Sequence, residues 1–338
     1  MTSLKKMLAE SKEKTVLVIG DSILDVSVYC EAIGLSLETP TLKAKKIKSE
    51  ITMGGASNVV KNCLALGVRC HFITVLGEDS LYKEYESWQD ENLAISAIIE
   101  ERENISKTRY WIQKEDQNYK YLQLNTGNNK PISEDSKRCM LELVEEIVDN
   151  FDIVILIDYQ NGIFSSKKFV QSLVKIINEK NKLVICNSQK STNQVRQSWF
   201  AGADLISMNQ EEALANDKNF SLEQKSLKHL QEKLNSGVCV TLGDSGSAIR
   251  GVDHTEEYSC DALKIDSENI CGAGDAFLAC LSILDWKKYP LEALAISNTW
   301  AALSINKLEM TCPNREELIE LVKVLDNERC KTSDSAGK

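Results

Sequence analysis

Short apolar runs alternate with longer amphipathic ones along nearly the whole chain, and this rhythm constrains the fold more than any other feature. The runs Thr15–Gly20, His71–Leu76, Asp152–Asp158, Lys182–Cys186, Asp204–Ser207 and Val238–Leu242 show little period-two patterning. Strands that are half exposed alternate apolar and polar residues, whereas strands covered on both faces do not. Between the runs lie helical stretches at Asn58–Leu66, Ser136–Asp149, Ser166–Asn181 and Leu222–Asn235. Strand and helix alternating at this spacing imply an α/β fold with a central, mostly parallel sheet and helices on both faces.

Two segments break the rhythm. Pro40–Thr52 carries Lys43, Lys45, Lys46 and Lys48 in a strand-like alternation, and Lys107–Leu124 is rich in aromatic and β-favouring residues around a polar turn. The second pattern predicts a hairpin. Both predict strands of a small accessory sheet, a lid drawn from about 26–52 and 106–125. No internal repeat or low-complexity linker divides the chain, so one domain is expected over 14–326, with 327–338 as a disordered tail.

Composition narrows the function. An apolar fraction of 43% supports a large core, and a formal net charge of −10 argues against nucleic acid or an anionic membrane as the main partner. An anionic substrate then needs a local cluster of Lys and Arg. The 11 cysteines are scattered, contain no C-x-x-C pair and mostly sit inside apolar runs such as Leu183-Val184-Ile185-Cys186. That usage predicts reduced, buried thiols and a cytoplasmic setting. His71, His229 and His254 lack metal-ligand spacing. Met1–Lys14 is charged and lacks a signal-peptide apolar region, and no run approaches the ~20 apolar residues of a membrane helix.

The stretch most suggestive of chemistry is Gly272-Ala273-Gly274-Asp275, followed by Ala276-Phe277-Leu278-Ala279. Small residues at a helix start let backbone N–H groups approach an anion. A carboxylate placed there repels phosphate, unless it accepts a proton from the nucleophile attacking that phosphate. The alternative is a glycine-softened turn with Asp275 stabilising the first helical turn. G-x-x-x-x-G-K-[ST] is absent, and Gly20-Asp21-Ser22 after the first strand lacks G-x-G-x-x-G, which excludes two common nucleotide signatures.

Other candidates remain open between binding and structure. Asp21 fits a capped turn, while carboxylates at a strand's C-terminal end also suit sugar hydroxyls. Gly54-Gly55 permits close ligand approach, and Asn58 is either a helix cap or a hydroxyl partner. Asn209 and Glu212 share one side of a helical turn, where they either form a cap or hold Mg²⁺ through water. Thr241-Leu242-Gly243-Asp244-Ser245-Gly246 is either a loop over phosphate or a plain turn.

The order of these motifs resembles the ribokinase-like (PfkB) carbohydrate kinases: a glycine pair with Asn early, N-x-x-E in mid-chain, T-x-G-x-x-G, then G-A-G-D before a helix. Finer features are similar to one branch, the heptose-phosphate kinases of bacterial surface-sugar synthesis. They are Leu17–Asp21 through Asp25, Ser36-Leu37-Glu38-Thr39-Pro40, Gly54–Val59, Ile157-Asp158-Tyr159-Gln160-Asn161-Gly162 and Asn306-Lys307-Leu308. In two-function members of that branch a nucleotidyltransferase domain follows, and this sequence ends before one would fit.

The resemblance implies a ribokinase-like fold with a β-sheet lid, and ATP and Mg²⁺ as cofactors. It implies Asp275 as base, with Gly272, Ala273 and Gly274 as anion hole. Asn209 and Glu212 would organise Mg²⁺, Thr241, Gly243 and Gly246 would lie along the nucleotide, and Asn298 near the adenine. Asp25, Gly54, Gly55 and Asn58 would hold the sugar. Lys43, Lys45, Lys107 and Arg109 are candidates for a substrate phosphate, or form a solvated lid edge. A homodimer through the lid follows by analogy. The implied activity is phosphorylation of a sugar or sugar-phosphate hydroxyl, foremost the anomeric hydroxyl of a heptose 7-phosphate. A hexose, a hexose phosphate, a nucleoside or a pyridoxal-like alcohol is the alternative substrate. A non-catalytic sugar- or nucleotide-binding regulator is a further alternative, against which the intact Asp275 and N-x-x-E argue.

Three positions depart from the pattern. Asn269-Ile270-Cys271 stands where the family has D-T-[TV], so the carboxylate associated with monovalent-cation activation is missing and that activation stays open. Asn161 replaces a Lys, and Gln123 replaces an Arg, both on the side expected to face a sugar phosphate.

Overall fold

The structure is a computed structural model describing residues 3–79, 82–114, 117–127, 129–191, 194–221, 226–264, 271–305 and 312–324. The tail expected from 327, the departure at Asn269 and the Asn306-Lys307-Leu308 match lie outside the described residues.

The chain opens with α1 (Ser3–Ser11), β1 (Thr15–Gly20), β2 (Ser22–Leu35), β3 (Leu42–Gly55), α2 (Ala56–Ala65), β4 (Arg69–Leu76), α3 (Tyr82–Glu86) and β5 (Leu93–Ile99). There follow β6 (Ser106–Lys114), β7 (Gln117–Thr126), α4 (Glu134–Ile147), β8 (Ile153–Asp158), α5 (Lys167–Glu179), β9 (Leu183–Ser188), β10 (Leu205–Asn209) and α6 (Gln210–Asn216). Then come α7 (Ser226–Leu234), β11 (Gly237–Thr241), β12 (Ser247–Arg250), β13 (Tyr258–Cys260), α8 (Ala273–Ile283) and α9 (Pro290–Ile305).

A nine-stranded sheet runs in the order β13-β12-β11-β10-β9-β8-β1-β4-β5. It is parallel from β5 across to β11 and antiparallel at β12 and β13. Each expected strand is present, with bounds shifted by a residue or two. The expected helices are present too, the last of them as α7 among the described residues. Successive residues of the central strands feed two cores. Val16, Val18, Ile155 and Ile157 pack on the side of α2, α8 and α9, and Leu17, Ile19, Val154 and Leu156 on the side of α4, α5 and α7. Burial on both faces explains the missing alternation in the sequence.

The lid is a four-stranded sheet ordered β3-β2-β6-β7. Its strands begin where expected, except that β2 starts immediately after Asp21 and carries the chain directly from the core into the lid. In register, Asp25 faces Thr52 and Lys107, and Arg109 faces Ser27 and Gln123, so these side chains share one polar face. The opposite face presents Val26, Ile51, Thr108, Tyr110, Leu122 and Leu124.

Cys30, Cys63, Cys70, Cys186, Cys239 and Cys280 are buried free thiols, as expected, while Cys139 and Cys271 are exposed, against that expectation. Among the described residues no helix is long and apolar enough to cross a membrane.

Candidate active site

Asp275 lies in the first turn of α8, a helix whose buried run Ala276–Ile283 packs against α2 and α9. The turn before it needs glycine. Gly272 has φ +86°, which L side chains rarely adopt, and a Cβ there would meet Asn58 Nδ2 at 3.0 Å. Gly274 has open space where its side chain would be. The first N–H groups of a helix lack intrahelical partners, so those at the start of α8 are available to an anion.

Two side chains hold the Asp275 carboxylate. Asn58 donates from Nδ2 to Oδ2 at 2.8 Å, and the Tyr159 hydroxyl donates to Oδ1 and Oδ2 at 2.7 and 2.8 Å. Burial pushes the carboxyl up to about 6, against the pull of the Asn58 amide and the Tyr159 phenol. The Asp25 carboxylate pushes it the same way as burial, and the Lys107 ammonium opposes them. A carboxyl poised there is ionised at neutral pH yet basic enough to take a proton. Burial and the Asp275 charge push the Tyr159 phenol well above its usual value, so it stays protonated and donates.

Asp25 approaches from β2 and forms a 2.6 Å ion pair with Arg109 Nη1 from β6, both largely buried. Arg109 Nε is buried without a hydrogen-bond partner. Gly54 makes room for this pair, because a Cβ at 54 would sit 2.0 Å from Asp25 Oδ2. Gly55 has φ +62° and stands at the N-cap of α2, where a Cβ would meet the Asp21 carbonyl at 2.5 Å. Lys107 Nζ lies 5.5 Å over the Tyr159 ring. The structure therefore brings Asp25, Gly54, Gly55, Asn58, Lys107, Arg109, Gly272, Ala273, Gly274 and Asp275 into one neighbourhood.

Lys43 and Lys45 are not part of it. Lys45 pairs with Glu31 and Lys43 with Gly34. Glu31 is ~20 Å along β2 from Asp25 at the usual rise per residue. The cap reading of Asn58 is also corrected: with Gly55 at the N-cap, Asn58 falls inside the first turn of α2 and serves Asp275 instead.

Asn209 caps α6. Its Oδ1 accepts from Glu212 N at 2.9 Å, while Glu212 Oε2 accepts from Asn209 N at 2.9 Å. Glu212 Oε1 also accepts from Lys190 N at 3.1 Å, and burial pushes this carboxyl up. Two of the four lone-pair sites on the carboxylate are thus taken by backbone. Among the described residues no cluster of three or more His, Cys, Asp or Glu is arranged to hold a metal. These residues fit an ion that keeps most of its waters, and not a caged one.

Thr241 ends β11, and the turn after it uses Gly243 at φ +59° and Gly246 at φ +92°. At Gly246 a Cβ would clash with the Cys260 carbonyl, whereas Gly243 is open. Asn298, on α9, is buried and already engaged. It accepts from Ser247 Oγ at 2.9 Å and donates to the Cys260 and Asp261 carbonyls at 3.0 and 3.2 Å. It ties β12 to the chain after β13, shaping the wall of that region.

The sequence pattern of the pfkB family carbohydrate kinases matches residues 13–318. The chain belongs to this family. A bifunctional protein HldE from Helicobacter acinonychis (strain Sheeba) is 27% identical over 318 residues, covering 90% of this chain and 65% of the relative. The chain thus spans about 65% of that curated relative's length. The fold is similar to phosphofructokinase-2 from Escherichia coli in complex with potassium, with a TM-score of 0.73, 16% identity and coverage of 93% and 99% of the two chains. Arabidopsis thaliana ribokinase complexed with ribose and ATP gives a TM-score of 0.66 and 20% identity, covering 92% of this chain and 99% of the other. The fold is ribokinase-like.

Tyr159 is the site residue that motif reading passed over. Its signal was present in the Asp158-Tyr159 step of the segment resembling the heptose branch, but nothing local ties a tyrosine after β8 to a carboxylate on α8.

Proposed function

We propose that this protein is an ATP-dependent carbohydrate kinase that phosphorylates a hydroxyl of a sugar or sugar phosphate, with the anomeric hydroxyl of a heptose 7-phosphate as its foremost substrate. The observation that carries this reading is the Asp275 carboxylate at the opening of α8, poised near 6 and facing the polar side of the lid. In this scheme the acceptor hydroxyl sits between Asp275 and the γ-phosphorus. Asp275 takes its proton as the oxygen bonds phosphorus and the bond to ADP breaks. The transition state is loose, so a weak base serves. N–H groups at the start of α8 face the charge that develops on the phosphoryl oxygens. Asp25 and Arg109 hold sugar hydroxyls, and the lid excludes water.

Asn209 and Glu212 would hold Mg²⁺ through water, and the ion would neutralise charge on the nucleotide phosphates. Thr241, Gly243 and Gly246 line the nucleotide side, with Asn298 behind them.

The HldE relatives and the resemblance to heptose-phosphate kinases favour the heptose substrate. A second reading, an unphosphorylated sugar or nucleoside, is favoured by the charges. Arg109 is already neutralised by Asp25, and Gln123 hydrogen-bonds Asn125 where a cation would bind phosphate. The test is ADP release with ATP and Mg²⁺ over heptose 7-phosphate, fructose 6-phosphate and free sugars. We expect heptose 7-phosphate to give the highest kcat/KM. A free sugar winning tenfold overturns the phosphorylated substrate, and ligand-induced stabilisation with no ADP from any acceptor overturns the kinase reading.

We also infer a homodimer through the outer lid face. Ile51, Leu122 and Leu124 are 45%, 51% and 48% exposed there, an apolar surface suited to a second copy. Sedimentation velocity should show a dimer, and the pair L122E and L124E should reduce it to monomer. A wild-type monomer at all concentrations rejects this interface.

A further inference from the structure

The Asp275 carboxylate is already occupied by a hydroxyl. Tyr159 O–H spans both oxygens at 2.7 and 2.8 Å, the same donor chemistry at the same distance that an acceptor alcohol would offer. An alcohol or water that approaches from the side the phenol covers must displace it from at least one of the two oxygens.

Tyr159 is held there from three sides. Its backbone N–H donates to Asp21 Oδ2 at 2.9 Å, and the N–H groups of Asn161 and Ile163 bind the same buried carboxylate at 3.2 Å each. The next residue, Gln160, has φ +59°, and its Nε2 donates to the Gln189 and Gln194 carbonyls, fixing the turn. From the lid, Lys107 Nζ lies 5.5 Å over the ring. The phenol thus reports on both the core and the lid.

We propose that Tyr159 is a positioning residue that stands in for the acceptor hydroxyl at Asp275, keeping the base aimed and closed to water until the sugar displaces the phenol from one oxygen. This inference rests on Asp275 acting as the base. The groups facing Asp275 are Asp25 from β2, Lys107 from β6, Tyr159 after β8 and the neutral amide of Asn58 from α2. Arg109 neutralises Asp25. Of these, the phenol touches both carboxylate oxygens. A donor to a carboxylate stabilises its ionised form, so removing the donor raises the carboxyl's pKa.

The test is Tyr159→Phe in the full chain labelled with ¹³C-carboxyl aspartate, with Asp275→Asn assigning the resonance. In the ligand-free protein the Asp275 titration should move up from its wild-type midpoint by about one pH unit, the size expected for a hydrogen bond to a charged group. The acid limb of kcat/KM should move with it. ADP release without any sugar should rise roughly tenfold, because water reaches the uncovered base. An unchanged titration together with unchanged sugar-free ADP release overturns the proposal.

If the Phe variant does not fold, 3-fluorotyrosine-labelled protein with the wild-type sequence serves. Its Tyr159 resonance should follow the Asp275 titration and shift when acceptor sugar saturates the site, and a resonance insensitive to both overturns the proposal. Because the titration is read without turnover, it is separable from the kinase reading. Turnover surviving in Asp275→Asn strikes the base assignment, and leaves the Tyr159 contact standing or falling on its own result.

Discussion

Asp275→Asn is expected to lower kcat at least ~10²-fold while leaving the thermal midpoint nearly unchanged, since a general base contributes roughly 10²–10⁴-fold. The substitution is isosteric. An asparagine oxygen can still accept from Asn58 Nδ2, and the Tyr159 hydroxyl can turn to accept from the new amide, so both contacts of the carboxylate have a neutral counterpart. What disappears is the proton acceptor. The wild-type profile gives a second reading of the same group. Its carboxyl is raised to about 6, mainly by burial, so the active ionised form is lost as pH falls through that value. kcat/KM should then drop about tenfold per pH unit below it, with no limb from Asp275 above. The residual rate of the Asn variant should lack the acid limb. Coupled measurement of ADP release decides the matter: turnover within tenfold of wild type, or an acid limb that survives the substitution, removes Asp275 from the role of base.

The parallel core was legible because its strands are buried on both faces and their residues are continuously apolar. α1 was not, since Leu4, Met7 and Leu8 are spaced among lysines and acids in a short, mostly charged stretch. β12 and β13 are short, and β5 lies at an edge with most of its residues half exposed, so they lack the signature of the central strands. Within the site, Asn209 and Glu212 were legible as a pair because their interaction is local, three residues apart. The cap alternative for Asn58 fails for the opposite reason. Local statistics favour an asparagine cap, but its real partner is 217 residues away and the cap position belongs to Gly55. The lysines of β3 alternate as a strand should, yet alternation does not tell how far along the ribbon a residue stands. Lys107 and Arg109 reach the site because β6 pairs with the root of β2, where Asp25 is.

Asp21→Ala is expected to destabilise the protein by about 3–5 kcal/mol, which is a large fraction of the roughly 5–15 kcal/mol that holds a typical domain folded. Asp21 is 2% exposed and sits where β1 hands the chain to the lid. Its carboxylate accepts three backbone N–H groups, those of Tyr159, Asn161 and Ile163, at 2.9 to 3.2 Å. Burial raises the carboxyl despite those donors and the nearby Arg102. Desolvation therefore exceeds the gain to the charge, and the value of Asp21 lies in satisfying donors that have no other described acceptor. Truncation leaves these N–H groups beneath the site, each carrying a penalty of about 1–3 kcal/mol that water in the vacated space offsets only in part. The loop from Tyr159 to Ile163 then loses its anchor, and the phenol loses its aim at Asp275. Thermal unfolding should show a midpoint lower by roughly 6–15 °C. Sugar-dependent turnover below that midpoint should fall while ATP binding is retained, because the turn around Gly243 and Gly246, proposed for the nucleotide, follows β11 and not β1 or β8. A midpoint within about 2 °C of wild type would mean that the turn after β8 is held by its own backbone, and that Asp21 faces a ligand instead.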